Sequence, residues 1–426
     1  MSRYKRYERY KVSGVEWIGE MPEHWGVKPL KRVFKIINGG TPSSSEESYW
    51  NGEIVWVTPN DLSNLTEACI VDTERKITDD GLHNCSARIV PKGSIVISTR
   101  APIGYVAIAG VPLCTNQGCK SLVAIKKVNP KYFYYWMYSI SFYLNVLGQG
   151  TTFIELSNSN LSMVELLTPS INEQKAVANF LDQKTAEIDD LIADKEKLIE
   201  LLQEKRQAII TEAVIKGLNP NVKMKDSGIE WIGEIPEHWD VIKLKYVTKL
   251  VYGDSLPTEN REEGEVDVFG SNGKVGTHNV ANTLSPVIIV GRKGSYGKVT
   301  YSDKKCFAID TTYYIDNRCT KSNIKWLYYS LMVLELDKNS QDTGVPGLSR
   351  EYAYNKYVPV PTVNEQVAIA NFLDQKTAEI DSLVTETKNQ IEKLKEYRQS
   401  LISETVTGKI DVREFQNKNE VIFRNE

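Results

Sequence analysis

Two sequence blocks occur twice in this chain of 426 residues, and no other feature limits its possible folds as strongly. Residues 13–25 return as residues 227–239 with 11 of 13 positions identical, and residues 172–189 return as residues 364–381 with 16 of 18 identical. The offsets, 214 and 192 residues, far exceed the roughly 20–50 residues of a solenoid repeat. The sequence therefore predicts a duplicated domain.

The segments that follow the first block in each half have diverged. Residues 37–171 and 251–363 share only scattered features, such as Gly39 with Gly253. Near-identical blocks around unlike segments predict two copies of one scaffold, each of which presents its own surface. If the repeated blocks pack alike, a pseudo-twofold axis relates the two halves.

The second repeated block begins a predicted long helix in each half, over residues 172–217 and 364–413, with starts near Asn172 and Asn364. Apolar residues recur there at spacings of three, four or seven, as in a coiled-coil seam: Leu181, Ile188, Leu191, Leu198, Leu202, Ile209 and Ala213, then Leu373, Ile380, Leu383, Leu394 and Leu401. Helices related by a perpendicular twofold axis run antiparallel, so we expect one antiparallel coiled coil that holds two variable domains roughly 50–60 Å apart. A dimerisation helix without a spacing role is the alternative.

The first repeated block contains two tryptophans on either side of a proline in each half: Trp17 and Trp25, then Trp231 and Trp239. Tryptophans at turns are mostly packing anchors, and we assign these four to the repeated frame. The histidine of each copy has no accompanying acid or nucleophile motif, so no catalytic base is predicted.

Each variable segment is predicted to combine short strands, loops and one aromatic-rich helix. The aromatic helices contain Tyr132 and Trp326, and we assign their rings to the core, with a base-stacking platform as the alternative. The mixture predicts the α+β class, with two mixed α/β domains joined by the two long helices.

Loops rich in Gly, Ser, Thr, Asn and basic residues separate the predicted strands. They lie at residues 38–44, 58–61, 98–100, 114–118 and 148–152 in the first half, and at 270–274, 291–298, 310–312 and 344–347 in the second. In DNA complexes, Arg and Lys read guanine, Asn and Gln read adenine, and hydroxyls hold phosphates. The same composition fits other polar ligands. The 291–298 loop has one residue too many between its glycines for a nucleotide-binding loop, and Val299 occupies the position of the magnesium-binding hydroxyl.

Sequence patterns argue against export and membrane insertion, and they favour reduced cysteines over a disulfide or metal role. A polar start and the lack of an apolar run of roughly 20 residues predict a cytoplasmic protein. The six cysteines form no Cys-x-x-Cys pair, so we expect reduced thiols.

The formal net charge is −3, but the two segments with the predicted helices each carry −3, whereas residues 1–171 carry +3 and residues 218–363 are neutral. This balance is compatible with DNA binding without requiring it.

The repeated blocks Trp-Ile-Gly-Glu-x-Pro-Glu-His-Trp and Asn-Glu-Gln-x-Ala-x-Ala-Asn-Phe-Leu-Asp resemble those of the specificity subunits of Type I restriction–modification enzymes. The segments at 39–42, 49–52, 98–104 and 270–273 resemble that family as well, and the likeness runs from about residue 12 to 413. It implies a subunit without a catalytic site of its own. Two target recognition domains would each read one half of a bipartite, asymmetric site in double-stranded DNA.

The resemblance also implies partners and a division of the chain. Two modification subunits would dock on the helical frame and restriction subunits would join them. These partners would use S-adenosylmethionine, ATP and magnesium, and this chain would need no cofactor or metal. The implied parts are a first target recognition domain at 1–171, a first spacer helix at 172–217, a second recognition domain at 218–363, a second spacer helix at 364–413 and a tail at 414–426.

Candidate site residues follow from the loops and the frame. The DNA-contact candidates are Thr41, Ser43, Asn60, Thr99, Arg100, Asn116, Gln117, Asn272, Lys274, Arg292, Lys293, Tyr296, Lys298 and Thr311. The frame and partner candidates are Trp17, Trp25, Leu181, Ile188, Leu202, Trp231, Trp239, Leu373, Ile380 and Leu394. Arg100 and Arg292 each follow a predicted strand and precede a glycine turn, which favours equivalent positions for the two residues. Structural ion pairs are the alternative role for these arginines.

The alternative functions for the whole chain are a coiled-coil scaffold without DNA specificity and a self-contained nuclease or methyltransferase.

Overall fold

The computed structural model describes residues 4–100, 102–148, 155–338 and 347–415, and the chain divides into two units. Unit 1 comprises Met1–Asp194 with Gln390–Glu426, and unit 2 comprises Lys195–Asn389. Most of the predicted loops at 148–152 and 344–347 and most of the tail at 414–426 lie outside the described residues. Within the described part of the chain, no helix is both long and apolar enough to cross a membrane.

Unit 1 contains twelve described strands and the first five α-helices. The strands are β1 (Tyr10–Val12), β2 (Glu20–Pro22), β3 (Gly26–Pro29), β4 (Phe34–Asn38), β5 (Trp50–Val57), β6 (Cys69–Ile70), β7 (Lys76–Ile77), β8 (Ile95–Ser98), β9 (Val106–Ala109), β10 (Cys114–Thr115), β11 (Cys119–Ala124) and β12 (Glu165–Thr168). The helices are α1 (Pro59–Ser63), α2 (Asp79–His83), α3 (Pro130–Ser139), α4 (Ser141–Val146) and α5 (Asn158–Met163), followed by the long α6 (Ile171–Lys216), which continues into unit 2.

Unit 2 contains eleven described strands and a second long helix that returns to unit 1. The strands are β13 (Met224–Asp226), β14 (Glu234–Pro236), β15 (Asp240–Lys243), β16 (Val251–Tyr252), β17 (Val266–Gly270), β18 (Gly273–His278), β19 (Val287–Gly291), β20 (Val299–Ser302), β21 (Phe307–Ala308), β22 (Thr312–Asp316) and β23 (Tyr357–Val360). The helices are α7 (Leu244–Val247), α8 (Ile324–Val333), α9 (Arg350–Tyr354) and α10 (Val363–Val406).

The two units share one sheet plan despite their unlike sequences. The largest sheet has the order β4-β11-β8-β9-β6 in unit 1 and β16-β22-β19-β20 in unit 2. A smaller three-stranded sheet, β10-β5-β7 or β18-β17-β21, includes one parallel pair in each unit. Two-stranded pairs complete the plan: β1 with β2 and β3 with β12 in unit 1, and β13 with β14 and β15 with β23 in unit 2. The predicted α+β class and the duplication of one scaffold are confirmed.

Each unit has one main apolar core that includes its aromatic helix. In α3, Tyr132 and Trp136 are fully buried, and in α8 Trp326 is fully buried. The assignment of these rings to the core, instead of to an exposed stacking platform, is confirmed.

The long helices begin one residue earlier than predicted. Ser170 caps α6 and Thr362 caps α10, because each hydroxyl accepts from the backbone N–H of the glutamate three residues later, at 3.3 and 3.5 Å, and donates to that carboxylate. Asn172 and Asn364 therefore lie inside the first turn. Gly217 and Gly408, with φ of +73° and +74°, follow the two helix ends.

The packed faces of the long helices follow a regular alternation of four and three residues. The buried or half-buried positions are Leu181, Thr185, Ile188, Ile192, Lys195, Ile199, Leu202, Arg206, Ile209 and Ala213 in α6, and Leu373, Thr377, Ile380, Val384, Thr387, Ile391, Leu394, Arg398, Leu401 and Thr405 in α10. The prediction was wrong for Leu191, Leu198 and Leu383, which are 49%, 44% and 50% exposed. The residue that follows each of them occupies the seam.

One stretch of each long helix contributes to each unit, and the two stretches pack together there. In unit 1, Arg398 of α10 donates to Asp189 of α6 at 2.8 Å, and in unit 2 Arg206 of α6 donates to Asp381 of α10 at 3.0 Å. The first part of one helix thus accompanies the last part of the other in each unit, as in an antiparallel pair. The prediction that the long helices pack together is confirmed.

Candidate nucleic-acid interface

The repeated blocks meet at a glutamate in each unit. In unit 1, Glu173 accepts hydrogen bonds from Trp25 Nε1 at 3.1 Å and from Ser170, and its Oε1 lies 2.7 Å from His24 Nε2. In unit 2, Glu365 has the same three partners, Trp239, Thr362 and His238. The contacts join the turn of the first repeated block to the start of the helix made by the second. The glutamates were not among the residues predicted from the sequence, although their place in both blocks was a usable signal.

Burial and hydrogen bonding act on these carboxylates in opposite directions. Burial, the largest single influence, raises the pKa of Glu365, but the donors Thr362, His238 and Trp239 together outweigh it and lower the pKa to about 2. The same balance lowers the pKa of Glu173. Both groups are therefore ionised acceptors at neutral pH.

The four frame tryptophans fall into two classes. Trp25 and Trp239 are 1% exposed, and each also contacts the glycine that follows a long helix, Gly408 in unit 1 and Gly217 in unit 2. Trp17 and Trp231 are 40% and 44% exposed. The buried pair therefore holds the frame together, whereas the half-exposed pair presents an aromatic surface at the same position of each copy.

In unit 1, loops from four parts of the chain converge on one edge of the sheets. Backbone N–H groups of Thr99 and Arg100 donate to the carbonyl of Gly118, and Pro59 lies against Gly118. Gly39 packs so closely on the carbonyl of Asn116 that no Cβ would fit. This edge therefore brings together most of the first-half candidates.

The side chains at the unit 1 edge differ in accessibility. Thr41, Ser43, Asn60 and Gln117 are exposed and Asn116 is half-buried, and the Thr41 hydroxyl donates to Gln117. Thr99 is fully buried and donates to Gly118 O at 3.3 Å. A side chain enclosed in this way has no surface to offer DNA, so the proposed contact of Thr99 does not fit the structure.

Arg100 is part of an ion-pair network. Its Nε donates to Glu155 at 3.0 Å, and the buried Lys120 donates to the carbonyl of Leu156 at 3.0 Å and lies 3.5 Å from Glu155. Burial lowers the pKa of Lys120, against the raising effect of Glu155. Burial raises the pKa of Glu155, but its two cationic partners outweigh that effect and lower it. The ion-pair role considered for Arg100 is therefore present, and 45% of its side chain stays exposed.

Unit 2 has the same edge with other residues. The backbone N–H groups of Arg292 and Lys293 donate to the carbonyl of Thr311, as those of Thr99 and Arg100 do to Gly118. The N–H of Leu348 donates to Arg292 O, as that of Leu156 does to Thr99 O, both at 2.8 Å. Arg292 thus corresponds to Thr99, and Lys293 corresponds to Arg100. The predicted equivalence of Arg100 with Arg292 was wrong by one residue, because it matched residue types and not backbone hydrogen bonds.

The remaining second-half candidates surround this edge. Lys298 donates to the carbonyl and side-chain oxygens of Asn272 at 2.8 and 3.0 Å, and Lys274 pairs with Asp267 at 2.5 Å. Lys293 is exposed, whereas Tyr296 and Thr311 are half-buried.

Two residues that were not predicted complete the unit 2 edge. Tyr252 is 43% exposed, and the guanidinium carbons of Arg292 and Arg350 lie 5.0 and 4.8 Å from its ring centroid. Below it, burial and a hydrogen bond with Tyr252 raise the pKa of Tyr313 to about 12, and Tyr313 donates to Leu348 O at 3.1 Å. Arg350 lies near the C-terminal end of the divergent segment and starts a short helix, so only the fold brings it to this edge.

Comparisons with known proteins agree with this architecture. The family model for the Type I restriction modification DNA specificity domain matches residues 22–201 and 236–393. The MjaIX specificity subunit of Methanocaldococcus jannaschii is 30% identical over 432 residues, which covers 93% of this chain and 96% of that protein. The EcoR124I/EcoR124II specificity subunit of Escherichia coli is 29% identical over 196 residues, 42% of this chain and 45% of that one.

Two solved structures share the fold. A chain from a type I restriction–modification system, solved for its complex assembly and conformational transition, has a TM-score of 0.72 at 16% identity and covers 92% of this chain and 99% of its own. The HsdS subunit from Thermoanaerobacter tengcongensis has a TM-score of 0.54 at 16% identity, with 92% and 98% covered.

The chain belongs to the family of proteins built from Type I restriction–modification DNA specificity domains. It is the DNA specificity subunit of a Type I restriction–modification system, and the catalysis of such a system lies in partner subunits. The predicted family and function are confirmed, and the alternatives of a scaffold without DNA specificity and of a self-contained enzyme are set aside.

Proposed function

We propose that this subunit reads a bipartite, asymmetric site in double-stranded DNA, with one half-site bound at the edge of unit 1 and the other at the edge of unit 2. The observation that carries the proposal is the pair of equivalent edges. Both are built by the same backbone hydrogen bonds, yet they present unlike side chains. Two equivalent positions with different chemistry suit two half-sites of different sequence.

The proposed contacts are the accessible side chains at the two edges. In unit 1 they are Thr41, Ser43, Asn60, Arg100, Asn116 and Gln117, and in unit 2 they are Asn272, Lys274, Arg292, Lys293, Tyr296, Lys298 and Thr311. Amides and guanidinium groups would read base edges, whereas hydroxyls and lysines would mostly hold phosphates. Thr99, which is buried, would hold the 114–118 loop in place through its hydrogen bond to Gly118 O instead of contacting DNA.

The partners would dock on the repeated frame. Two modification subunits need two like positions, and the half-exposed Trp17 and Trp231 provide one in each unit. Restriction subunits would join this assembly in the cytoplasm. S-adenosylmethionine, ATP and magnesium would be bound by the partner subunits.

Selection of bound sequences from a random duplex library tests the proposal. We expect the subunit, with its modification subunits, to enrich two sequence blocks separated by a spacer of fixed length and variable sequence. Arg100→Ala should lower discrimination at one block and leave the second block and the assembly of the complex unchanged.

Lys197→Ala provides a matched control, because it removes a positive charge from the surface of α6, where its partner Glu200 is 62% exposed. It should change neither block. One contiguous enriched motif, or equal loss of both blocks in Arg100→Ala, would contradict the assignment of one half-site to each unit.

A further inference from the structure

The cluster of Tyr252, Arg292 and Arg350 combines two arginines with one aromatic ring at the unit 2 edge. Both guanidinium carbons lie within 5.0 Å of one tyrosine ring that is itself 43% exposed. Tyr252 is supported in turn by Tyr313, whose ring centroid lies 5.0 Å away. Stacking on an aromatic ring orients a planar guanidinium group without using its N–H donors.

Among the residues that the structure describes, no carboxylate pairs with either arginine of the cluster. Over the part of unit 2 that the structure describes, the side chains of Arg292 and Arg350 make no ion pair and no hydrogen bond. Arg100 at the unit 1 edge and Lys274 in unit 2 each pair with an acidic residue. Within the described residues, the N–H donors of both guanidinium groups are therefore oriented and have no partner. Such a planar set of donors matches two acceptors on the edge of a planar ligand.

The counterparts of the cluster in unit 1 are of another kind. β-Sheet pairing places Asn38 opposite Lys120 where Tyr252 lies opposite Tyr313. The helix-capping serines at 157 and 349 place Asn158 in the position of Arg350, and Thr99 corresponds to Arg292. A contact to the DNA backbone is independent of sequence and would suit both copies of a scaffold. A group present in one copy only suits recognition of particular bases.

We infer that the Tyr252–Arg292–Arg350 cluster reads guanine in the half-site bound by unit 2. Each arginine would donate two hydrogen bonds to the O6 and N7 acceptors of a guanine in the major groove, and Tyr252 would hold the guanidinium groups in position. The inference rests on the proposed function, since it requires that the edge of unit 2 bind DNA.

Selection from a random duplex library with the wild-type subunit, Arg292→Lys and Arg350→Lys, each in complex with the modification subunits, tests the inference. Lysine keeps the positive charge but lacks the planar fork. For the wild-type protein we expect guanine in the block read by unit 2, and replacement of that guanine by adenine should weaken binding about 5- to 150-fold. Each lysine variant should weaken this preference at one guanine, because an ammonium group can donate to O6 or N7 but cannot form the planar two-bond contact, while the other block is enriched as before.

A duplex with 7-deazaguanine at the selected position isolates the N7 contact. It should bind the wild-type complex several-fold more weakly than the guanine duplex and should bind the Arg292→Ala or Arg350→Ala complex, which lacks the donor at that position, with no such penalty. Tyr252→Phe keeps the ring and should keep the guanine preference, whereas Tyr252→Leu should lose it.

Three results would overturn the inference. One is a unit 2 block without guanine. Another is a uniform loss of affinity for all sequences in the lysine or alanine variants, with a smaller salt dependence in Arg292→Ala, because that result identifies a phosphate contact. The third is an unchanged guanine preference in both Arg292→Ala and Arg350→Ala. Absence of both blocks for the wild-type complex is distinguishable from these, because it refutes the bipartite function itself.

Discussion

Glu173 and Glu365 show how single residues hold the repeated frame. Each is the third residue of a long helix, where an anionic side chain is stabilised by the free N–H groups of the first turn. Each also accepts from a tryptophan of the other repeated block, at 3.1 and 3.2 Å. One carboxylate thus caps a helix and anchors the β-turn beside it. This double role gives a physical reason for the near-identity of both blocks in the two halves.

The pKa of Glu365 leads to a pH-dependent contribution to stability. Its folded-state pKa of about 2 lies below the ordinary value of 4.5, so its contribution is fully present above pH 4.5 and is lost as the pH falls towards 2. We expect Glu365→Gln to be less stable than wild type at pH 7, and the difference in Tm should shrink as the pH falls from about 4.5 towards 2, the window that the two pKa values define.

Circular dichroism melts of both proteins at several pH values provide the measurement. Glu200→Gln is the control, because Glu200 is 62% exposed and forms a surface pair that contributes little. A Tm difference between wild type and Glu365→Gln that stays constant down to pH 3 would show that the carboxylate charge is not what stabilises the frame.

Residue types identified the loops that contain the candidate residues, but not the place where these loops meet or the role of each side chain. The loops meet at one edge in each unit because of strand pairing and backbone hydrogen bonds, which were not predicted from the sequence. Thr99 was misassigned because its burial depends on Gly118, which is distant in the sequence. Tyr252 and Arg350 were missed because a single tyrosine and a single arginine carry no pattern until sheet pairing and a helix cap bring them together.

At the scale of elements, the long helices show why the seam could be predicted only in part. Adjacent apolar pairs, such as Leu191 with Ile192 and Leu198 with Ile199, fit two phases of the heptad. Polar residues occupy true seam positions, including Lys195 and Arg206, and hide the correct phase. Lysine and arginine tolerate such places because their long aliphatic stems pack while their charged ends reach solvent or a partner.

Neighbouring leucine and isoleucine residues make this phase testable. We expect Ile192→Ala to lower the free energy of unfolding of the purified subunit by about 2 kcal/mol, near the lower end for an isoleucine truncation because the site is only partly buried. Leu191→Ala should change it by less than about 0.5 kcal/mol, since Leu191 is 49% exposed. Urea titrations of the two variants provide the comparison, and a larger effect at Leu191 would place the seam in the other phase.

At the scale of the whole molecule, the near-identical repeated blocks and the divergent segments form different parts of the structure. The repeated blocks supply the glutamates at the helix caps, the tryptophan anchors and the first part of each long helix, and none of these residues lies at the proposed DNA-contact edges. A specificity subunit built in this way can change its edges without changing the surface proposed for its partners. The duplication was evident from the sequence because identical contacts require identical residues. The sheet plan was not, because sheets of the same topology accept unlike sequences.

Because the long helices belong to the repeated frame and not to the edges, we predict that the length of α6 and α10 sets the spacer between the two half-sites. Insertion of three heptads into each long helix, after Asp194 and after Asn389, keeps the alternation of the seam and adds about 31 Å of helix. That length is close to one turn of DNA, roughly 34–36 Å, so we expect the preferred spacer to lengthen by about 9–10 base pairs.

Insertion of a single heptad into each long helix is the control. It adds about 10 Å, or roughly 3 base pairs, which is only part of a DNA turn and rotates the second half-site away from its edge. This variant should therefore bind weakly at every spacer. Binding to duplexes that differ only in spacer length distinguishes the cases. An unchanged spacer in the three-heptad variant would mean that the DNA, and not the helices, fixes the distance.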